Sequence, residues 1–307
     1  MRKYLLLGGV LLLILFRPDF AIFEEAWRGI RSISFGEAFS LALLNLCIIL
    51  VLAARGFILL RGLGSDTPFL RWLQAKQLGF LISITTPGPQ FGGEPAQVLA
   101  LRECGLSSAR AISVTAVDKV VDVILNTAVT LGLALVVVVL GLIDLGLAAE
   151  SAGAWIVTVG LFFGAVVFLV VGLRRGFLNR WDLGRRLQRD LELLAGLPAS
   201  IWLGALSLGL GAVVLMAAEW WLLWFWTSAS PDFGLIVSTW VAARVSLWGP
   251  VPGAVGVFEG AVLGATLAVG GSWSDAAALC GVARARDLGL ILSSTALSFR
   301  EWLSWRR

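Results

Sequence analysis

Ten charged residues sit inside otherwise apolar stretches: Glu94, Asp118, Lys119, Asp122, Glu219, Arg244, Glu259, Arg284, Arg286 and Asp287. At the centre of a bilayer each costs about 2.5–3.5 kcal/mol on insertion scales, so ten of them facing hydrocarbon would be prohibitive. They must face one another, a polar cavity or the membrane interface. Lys119 and Asp122 stand three residues apart, as do Arg284 and Asp287. A three-residue step on a helix keeps two side chains on one face within pairing reach. Asp118 and Asp122, four apart, share a face as well. Such groups either tie helices together or line a polar path for a bound group. On the second reading Glu94, Asp118, Lys119, Asp122, Arg244, Glu259, Arg284 and Asp287 are the residues expected to bind substrate.

Glu94 precedes Pro95, and proline suits the first position of a helix. Glu94 is therefore the expected N-cap, with Gly92 and Gly93 letting the chain turn; Glu259 stands at the equivalent point, before Gly260. A carboxylate there is favoured by the helix dipole. Capping and contact with a substrate headgroup are both open, and they are not exclusive. Other chemistry is sparse. Histidine is absent, which removes His-based acid–base catalysis and most zinc sites. Cys47, Cys104 and Cys280 form no metal-ligand spacing and are expected to be small buried residues. With no nucleophile motif and no phosphate-cradling glycine loop either, neither a cofactor nor a metal is expected.

The elements that must position these residues are membrane helices. Of the 307 residues 58% are hydrophobic and 14% charged, against roughly a quarter charged in soluble domains. Apolar runs at 39–60, 120–142, 155–173 and 201–226 each approach the roughly 20 residues that cross a hydrocarbon core of about 30 Å. The longest polar segment, 174–198, is too short to bury a core of its own. The N-terminus, MRKYLLLGGVLLLILF, has the basic start and apolar centre of a signal peptide. Arg17, Pro18, Asp19 and Phe20 follow in place of a small-residue cleavage site, so a retained first helix is expected.

A shift of 165 residues lays the sequence over itself without a gap. Pro87 then matches Pro252, Gly88 matches Gly253, Glu94 matches Glu259 and Asp122 matches Asp287, while Lys119 lies over Arg284. Charges are scarce here, so their coincidence in one frame carries more weight than the alanine and glycine matches around them. Ordinary spans are expected at 4–16, 38–60, 110–140, 155–173, 201–226 and 276–297. Segments 69–103 and 234–270 are broken by clustered Pro and Gly, which no continuous helix survives. Irregular backbone at membrane depth is tolerated only where protein or water surrounds it, so both read as re-entrant hairpins. The expected fold is an all-α polytopic membrane protein of two inverted repeats, each with about three spans and a broken hairpin. The repeats are 1–145 and 146–307, within one integral membrane domain. Eight ordinary spans would keep the same inversion.

The net charge of +4 points to topology, not to nucleic acid. Basic residues gather at Arg2 and Lys3, between Arg55 and Lys76, between Arg174 and Arg189, and from Arg300 to Arg307, whereas 144–153 and 227–234 have none. The positive-inside rule then puts both termini in the cytoplasm, with the first hairpin opening inward and the second outward. The loop at 17–37 is external by alternation. Trp27, Trp72, Trp155, Trp181, Trp202, Trp273, Trp302 and Trp305 lie near span ends, as an interfacial belt requires. Trp220, Trp221, Trp224 and Trp226 cluster on one helix, where packing or an interface is expected in place of a ligand platform. Segment 177–197 has arginines among apolar residues at helical spacing and reads as an amphipathic helix on the cytoplasmic face.

The stretch GGEPAQVLALRECGLSSARAISVTAVDKVVDV resembles the glycine–glutamate–proline segment and following charged helix of the lysylphosphatidylglycerol synthase transmembrane-region family. VPGAVGVFEGAVLGA resembles that family's second signature. The resemblance covers essentially the whole chain and implies lipid translocation in a bacterial cytoplasmic membrane, with Glu94, Asp122, Glu259 and Asp287 at matching motif positions. Two departures stand out. Lys119 occupies a position where the family more often has arginine, which keeps the charge but loses the bidentate fork. Lipid-aminoacylating members carry a soluble domain after the membrane part, and this sequence closes at Arg307, so a synthase activity is not expected. The expected activity is flipping of a lipid or lipid-linked molecule, and the alternatives are an intramembrane enzyme or a binding scaffold acting on a lipid-linked substrate. Expected partners are a membrane lipid, a second copy of the chain or a lipid-synthesising enzyme.

Overall fold

The computed structural model describes residues 20–86, 92–139, 182–229, 231–248 and 251–304. The expected helix at 4–16, the apolar run at 155–173 and the Pro87–Gly88–Pro89 break lie outside the described residues. Among the described residues there are ten α-helices and no strand. They are α1 (Phe20–Ser32), α2 (Phe35–Gly62), α3 (Phe69–Thr85), α4 (Glu94–Glu103), α5 (Ser108–Val139), α6 (Asp182–Ala195), α7 (Ala199–Thr227), α8 (Phe233–Ser246), α9 (Val257–Ala268) and α10 (Trp273–Ser304). A single 3-10 turn, Pro252–Ala254, separates α8 from α9.

Local signals set the boundaries. At the start of α2 the Ser34 hydroxyl accepts from the Glu37 N–H (3.3 Å) and the Glu37 carboxylate accepts from the Ser34 N–H (2.7 Å), so two orphan donors are satisfied together. The Asp232 carboxylate accepts from the Leu235 N–H at the start of α8. Helices α2, α5 and α7 are long and apolar enough to cross a membrane. α10 matches α5 in length at 32 residues, about 48 Å at 1.5 Å per residue. Its internal charges make it the more polar of the two. α3 and α4, at 17 and 10 residues, extend only about 26 and 15 Å. They pack on each other at a glycine crossing, where a Cβ on Gly93 would lie 1.7 Å from the Gly79 carbonyl oxygen. No side chain fits there.

The 165-residue shift carries over to the elements. Applied to α2 it gives 200–227, against α7 at 199–227; applied to α5 it gives 273–304, the span of α10. Contacts exchange in the same way: α1 packs on α10 while its counterpart α6 packs on α5, and α3 packs on α10 while its counterpart α8 packs on α5. α2 packs against its own counterpart α7. Gly62 approaches Leu197 and Ile201, Gly204 approaches Ile58, Gly209 approaches Arg55, and Asn45 bonds to Glu219. Residue numbers fall on one helix as they rise on the other, so α2 and α7 run antiparallel.

Two buried clusters fill the interior. One joins Leu59, Leu60, Trp72, Leu78, Leu101 and Val114 with Leu194 and Ala205; the other joins Trp220, Leu223, Trp224, Phe258, Val262 and Leu279 with Leu41. Each thus takes in residues from both sides of the sequence. Small residues also allow close contact of α1 with α10, where Gly29 meets Ala278 and Gly281 meets Ala26.

Several expectations need correction. The loop at 17–37 contains helix α1, whose Ala26 and Gly29 share the face that docks on α10. Short length and mixed charges hid it. Trp72 is not in an interfacial belt: it is fully buried and donates its indole N–H to the Ala53 carbonyl (2.8 Å). Cys47 is exposed on the outside of the bundle, and only Cys280 of the three cysteines is buried. The described part of 177–197 is the helix α6, with Arg185, Arg186 and Arg189 on it. Trp220 and Trp224 are buried packing residues, as expected, and both donate to the Thr239 hydroxyl.

Candidate functional site

Glu94 is the first residue of α4 and not its cap, which is Gly93; Pro95 follows inside the first turn. The Gly93 N–H donates to the Ser83 hydroxyl (2.9 Å), fixing the start of α4 on the end of α3. From there the Glu94 carboxylate reaches Lys119 on α5 at 3.1 Å. In the second half α9 begins two residues before the matching glutamate, at Val257 with Gly256 as cap. Glu259 turns back so that one oxygen accepts from the Gly256 N–H (2.7 Å), while the other meets Arg284 on α10 at 2.5 Å. The same acid–base pair thus recurs at matching positions on matching elements.

Around these pairs lie two wider networks. In the first, Arg55 on α2 is only 2% exposed. It donates through Nε to Asp118 Oδ1 and through Nη1 to Asp122 Oδ1, both at 2.8 Å, and through Nη2 to the Asp118 carbonyl. Lys76 on α3 pairs with the other Asp118 oxygen. Asn126 donates to the Asp122 carbonyl. Gly56 makes this approach possible, since a Cβ there would lie 2.9 Å from Asp118 Cγ. In the second network Arg284 also reaches Asp287 (3.1 Å) and donates to the carbonyls of Gly253 and Ala254, holding the 3-10 turn. Arg286 pairs with Asp287 (2.8 Å) and with Glu219 on α7 (3.0 Å). Asn45 on α2 donates to the same Glu219 oxygen (2.7 Å), which ties the two halves together.

Arg244 differs from the other cations. Its guanidinium meets the Met216 sulfur (3.0 Å) and stacks over the Trp240 ring (4.2 Å) in place of a carboxylate. The six cations Arg55, Lys76, Lys119, Arg244, Arg284 and Arg286 equal in number the carboxylates Glu94, Asp118, Asp122, Glu219, Glu259 and Asp287, so the group is charge-balanced. Balance is what burial requires, because an uncompensated charge costs several kcal/mol.

The family described as Lysylphosphatidylglycerol synthase TM region matches residues 3–293. The chain belongs to this family. No curated relative and no solved structure matches it. The family match spans both networks and the first two thirds of α10. It makes the protein a membrane protein of the lysylphosphatidylglycerol synthase, flippase-like type.

Of the eight residues expected to bind substrate, Asp118, Asp122, Glu259, Arg284 and Asp287 fall into the two networks, Glu94 and Lys119 pair with each other, and Arg244 stands on aromatic and sulfur contacts. Asp122 pairs with Arg55, not with the Lys119 three residues before it. Sequence reasoning missed Arg55, Lys76 and Asn45. It counted Arg55 and Lys76 as loop charges for topology, whereas both are bonded inside the bundle. The clue was the helix α5, which brings Asp118 and Asp122 inward with Lys119 alone to balance them. A 570 Å³ cleft lies elsewhere, between 64–68 and 104–110, and none of the eight residues lines it.

Proposed function

We propose that this protein moves a lipid or lipid-linked molecule between the leaflets of a bilayer and does not synthesise it. The observation that carries this reading is the repeated glutamate–cation pair, Glu94–Lys119 and Glu259–Arg284, at the start of the second arm of each broken segment. In an inverted-repeat arrangement the two pairs serve opposite leaflets, and the antiparallel α2 and α7 favour such an arrangement. A polar headgroup then moves along paired charges while its tails stay in lipid. The short arms α3–α4 and α8–α9 act as re-entrant hairpins opening to opposite sides, the first to the cytoplasm, with both termini cytoplasmic. A lipid-synthesising enzyme or a second copy of the chain is the fitting protein partner.

The test is leaflet exchange of fluorescent lipids in vesicles, read by quenching from outside. The purified protein is expected to raise the exchange rate at least about tenfold over protein-free vesicles, a barrier change near 1.4 kcal/mol. Glu94→Gln is expected to lower that rate while the protein stays folded. Exchange no faster than in protein-free vesicles, for every headgroup tried, sinks the reading.

A further inference from the structure

The two matching half-sites are not equivalent. Glu259 has both oxygens engaged, one by Arg284 and one by the Gly256 N–H. Glu94 Oε2, by contrast, is buried and has no hydrogen-bond partner. Two more buried atoms nearby are also unpaired, Gln97 Nε2 and Thr115 Oγ1, in residues only 7% and 3% exposed. Gln97 follows Glu94 by one helical turn, and Thr115 precedes Lys119 by one turn on α5. α4 and α5 form a tight helical hairpin in contact, and Glu94 meets Lys119 across it. Antiparallel register therefore sets Gln97 opposite Thr115, one turn below the Glu94–Lys119 pair. In the second half the same register sets Val262 opposite Cys280, both in the apolar cluster. Where the first half has Gly79 and Gly93 in close backbone contact, the second has Arg244, stacked over Trp240, and Phe258, stacked under Arg284.

Buried donors and acceptors without partners are rare and each costs about 1–3 kcal/mol. Three where α4 and α5 pair, with none on α9 or α10 among the described residues, mark a place for something else. We propose that the first-half hairpin selects the polar headgroup, through Glu94, Gln97 and Thr115, and that the headgroup is an uncharged polyol. The second half, whose glutamate is fully bonded, adds no such selective contact. The chemistry selects the class. Glu94 Oε2 needs a donor, Gln97 Nε2 needs an acceptor, and Thr115 can be either. An ammonium leaves the amide unserved and adds a charge beside an already neutral Glu94–Lys119 pair. A phosphate meets the Glu94 carboxylate with like charge. Neighbouring hydroxyls both give and take, as on a sugar or glycerol.

The experiment replaces the first-half pair with the one the second half already packs, Gln97→Val with Thr115→Cys. The full-length protein is placed in phosphatidylcholine vesicles with fluorescent hexosyl diacylglycerol, phosphatidylethanolamine or phosphatidic acid. Because the site proposal rests on the transport reading, a second arm measures binding alone: the melting temperature in an amine-oxide detergent with and without short-chain hexosyl diacylglycerol. The wild type is expected to move the hexosyl lipid about tenfold faster than the other two, and to be stabilised by its short-chain form. The double variant is expected to melt no lower than the wild type, to lose that preference and to show no ligand-induced shift. If no lipid moves but the hexosyl lipid still stabilises only the wild type, transport falls and the site stands. Equal rates for all three headgroups overturn the site, as does a double variant that keeps the wild-type preference or thermal shift; water then serves these atoms.

Discussion

Arg55 holds two carboxylates at once, Asp118 and Asp122, from a position almost closed to the outside. Arg55→Met should leave Asp118 with Lys76 alone and Asp122 without its cation, and lower stability by about 3–5 kcal/mol, as for other broken buried pairs. Thermal denaturation in detergent measures this, and adding Asp122→Asn should recover part of the loss. A melting curve unchanged by Arg55→Met would mean the network bears no structural load. The two glutamates should also behave differently. Glu259→Gln leaves one acceptor for two donors, the Gly256 N–H and Arg284, whereas in Glu94→Gln the remaining oxygen can still face Lys119, so Glu259→Gln should cost about 1 kcal/mol more. Comparable melting temperatures would show that the cap at Gly256 contributes little. The sequence revealed most of these charges because acidic and basic residues are rare in apolar runs. It hid Arg55 because an arginine a few residues from a helix end looks the same whether it faces lipid headgroups or a buried aspartate. It hid Gln97 and Thr115 because neutral polar residues raise no alarm in a helix.

Glycine decides how closely the elements approach. At Gly93 any side chain collides with the Gly79 carbonyl, so Gly93→Ala should force α3 and α4 apart and cost about 1–3 kcal/mol by overpacking. Loss of exchange activity together with a lowered melting temperature is the expected result, and a neutral variant would show that the crossing can open freely. At Gly281 a Cβ would lie 2.4 Å from the Ala26 carbonyl oxygen. Gly281→Val should therefore release α1 from α10 and speed trypsin cleavage at the already exposed Arg28 and Arg31, since a released helix unwinds more readily, which gel analysis of the fragments would detect. Helix boundaries were legible within a few residues wherever Pro and Gly cluster or a long apolar run ends: 110–140 was expected and Ser108–Val139 is found. α1 was not legible, because 13 residues of alternating charge and apolar groups resemble an external loop.

At the scale of the whole molecule, the antiparallel α2 and α7 place the end of α2 beside the start of α7. Single cysteines replacing Asp66 and Ser200 should then be labelled from one side of the membrane, and those replacing Gly36 and Ala229 from the other, on a cysteine-free background. Labelling Asp66 and Ser200 positions from opposite sides would contradict that pairing. The 165-residue spacing shared by charges and helix bounds was legible because charged residues are scarce in apolar runs. The inequality of the halves was not, since only coordinates show that Glu259 is fully bonded and Glu94 is not. The exchange of α1 and α6 between halves has a consequence in time. Residue 29 emerges from the ribosome long before residue 278, its partner on α10. At roughly 5–20 residues per second the delay is about 10–50 s. Throughout it the docking face of α1 must shelter on the lipid surface or on a chaperone, until a helix made much later fastens it.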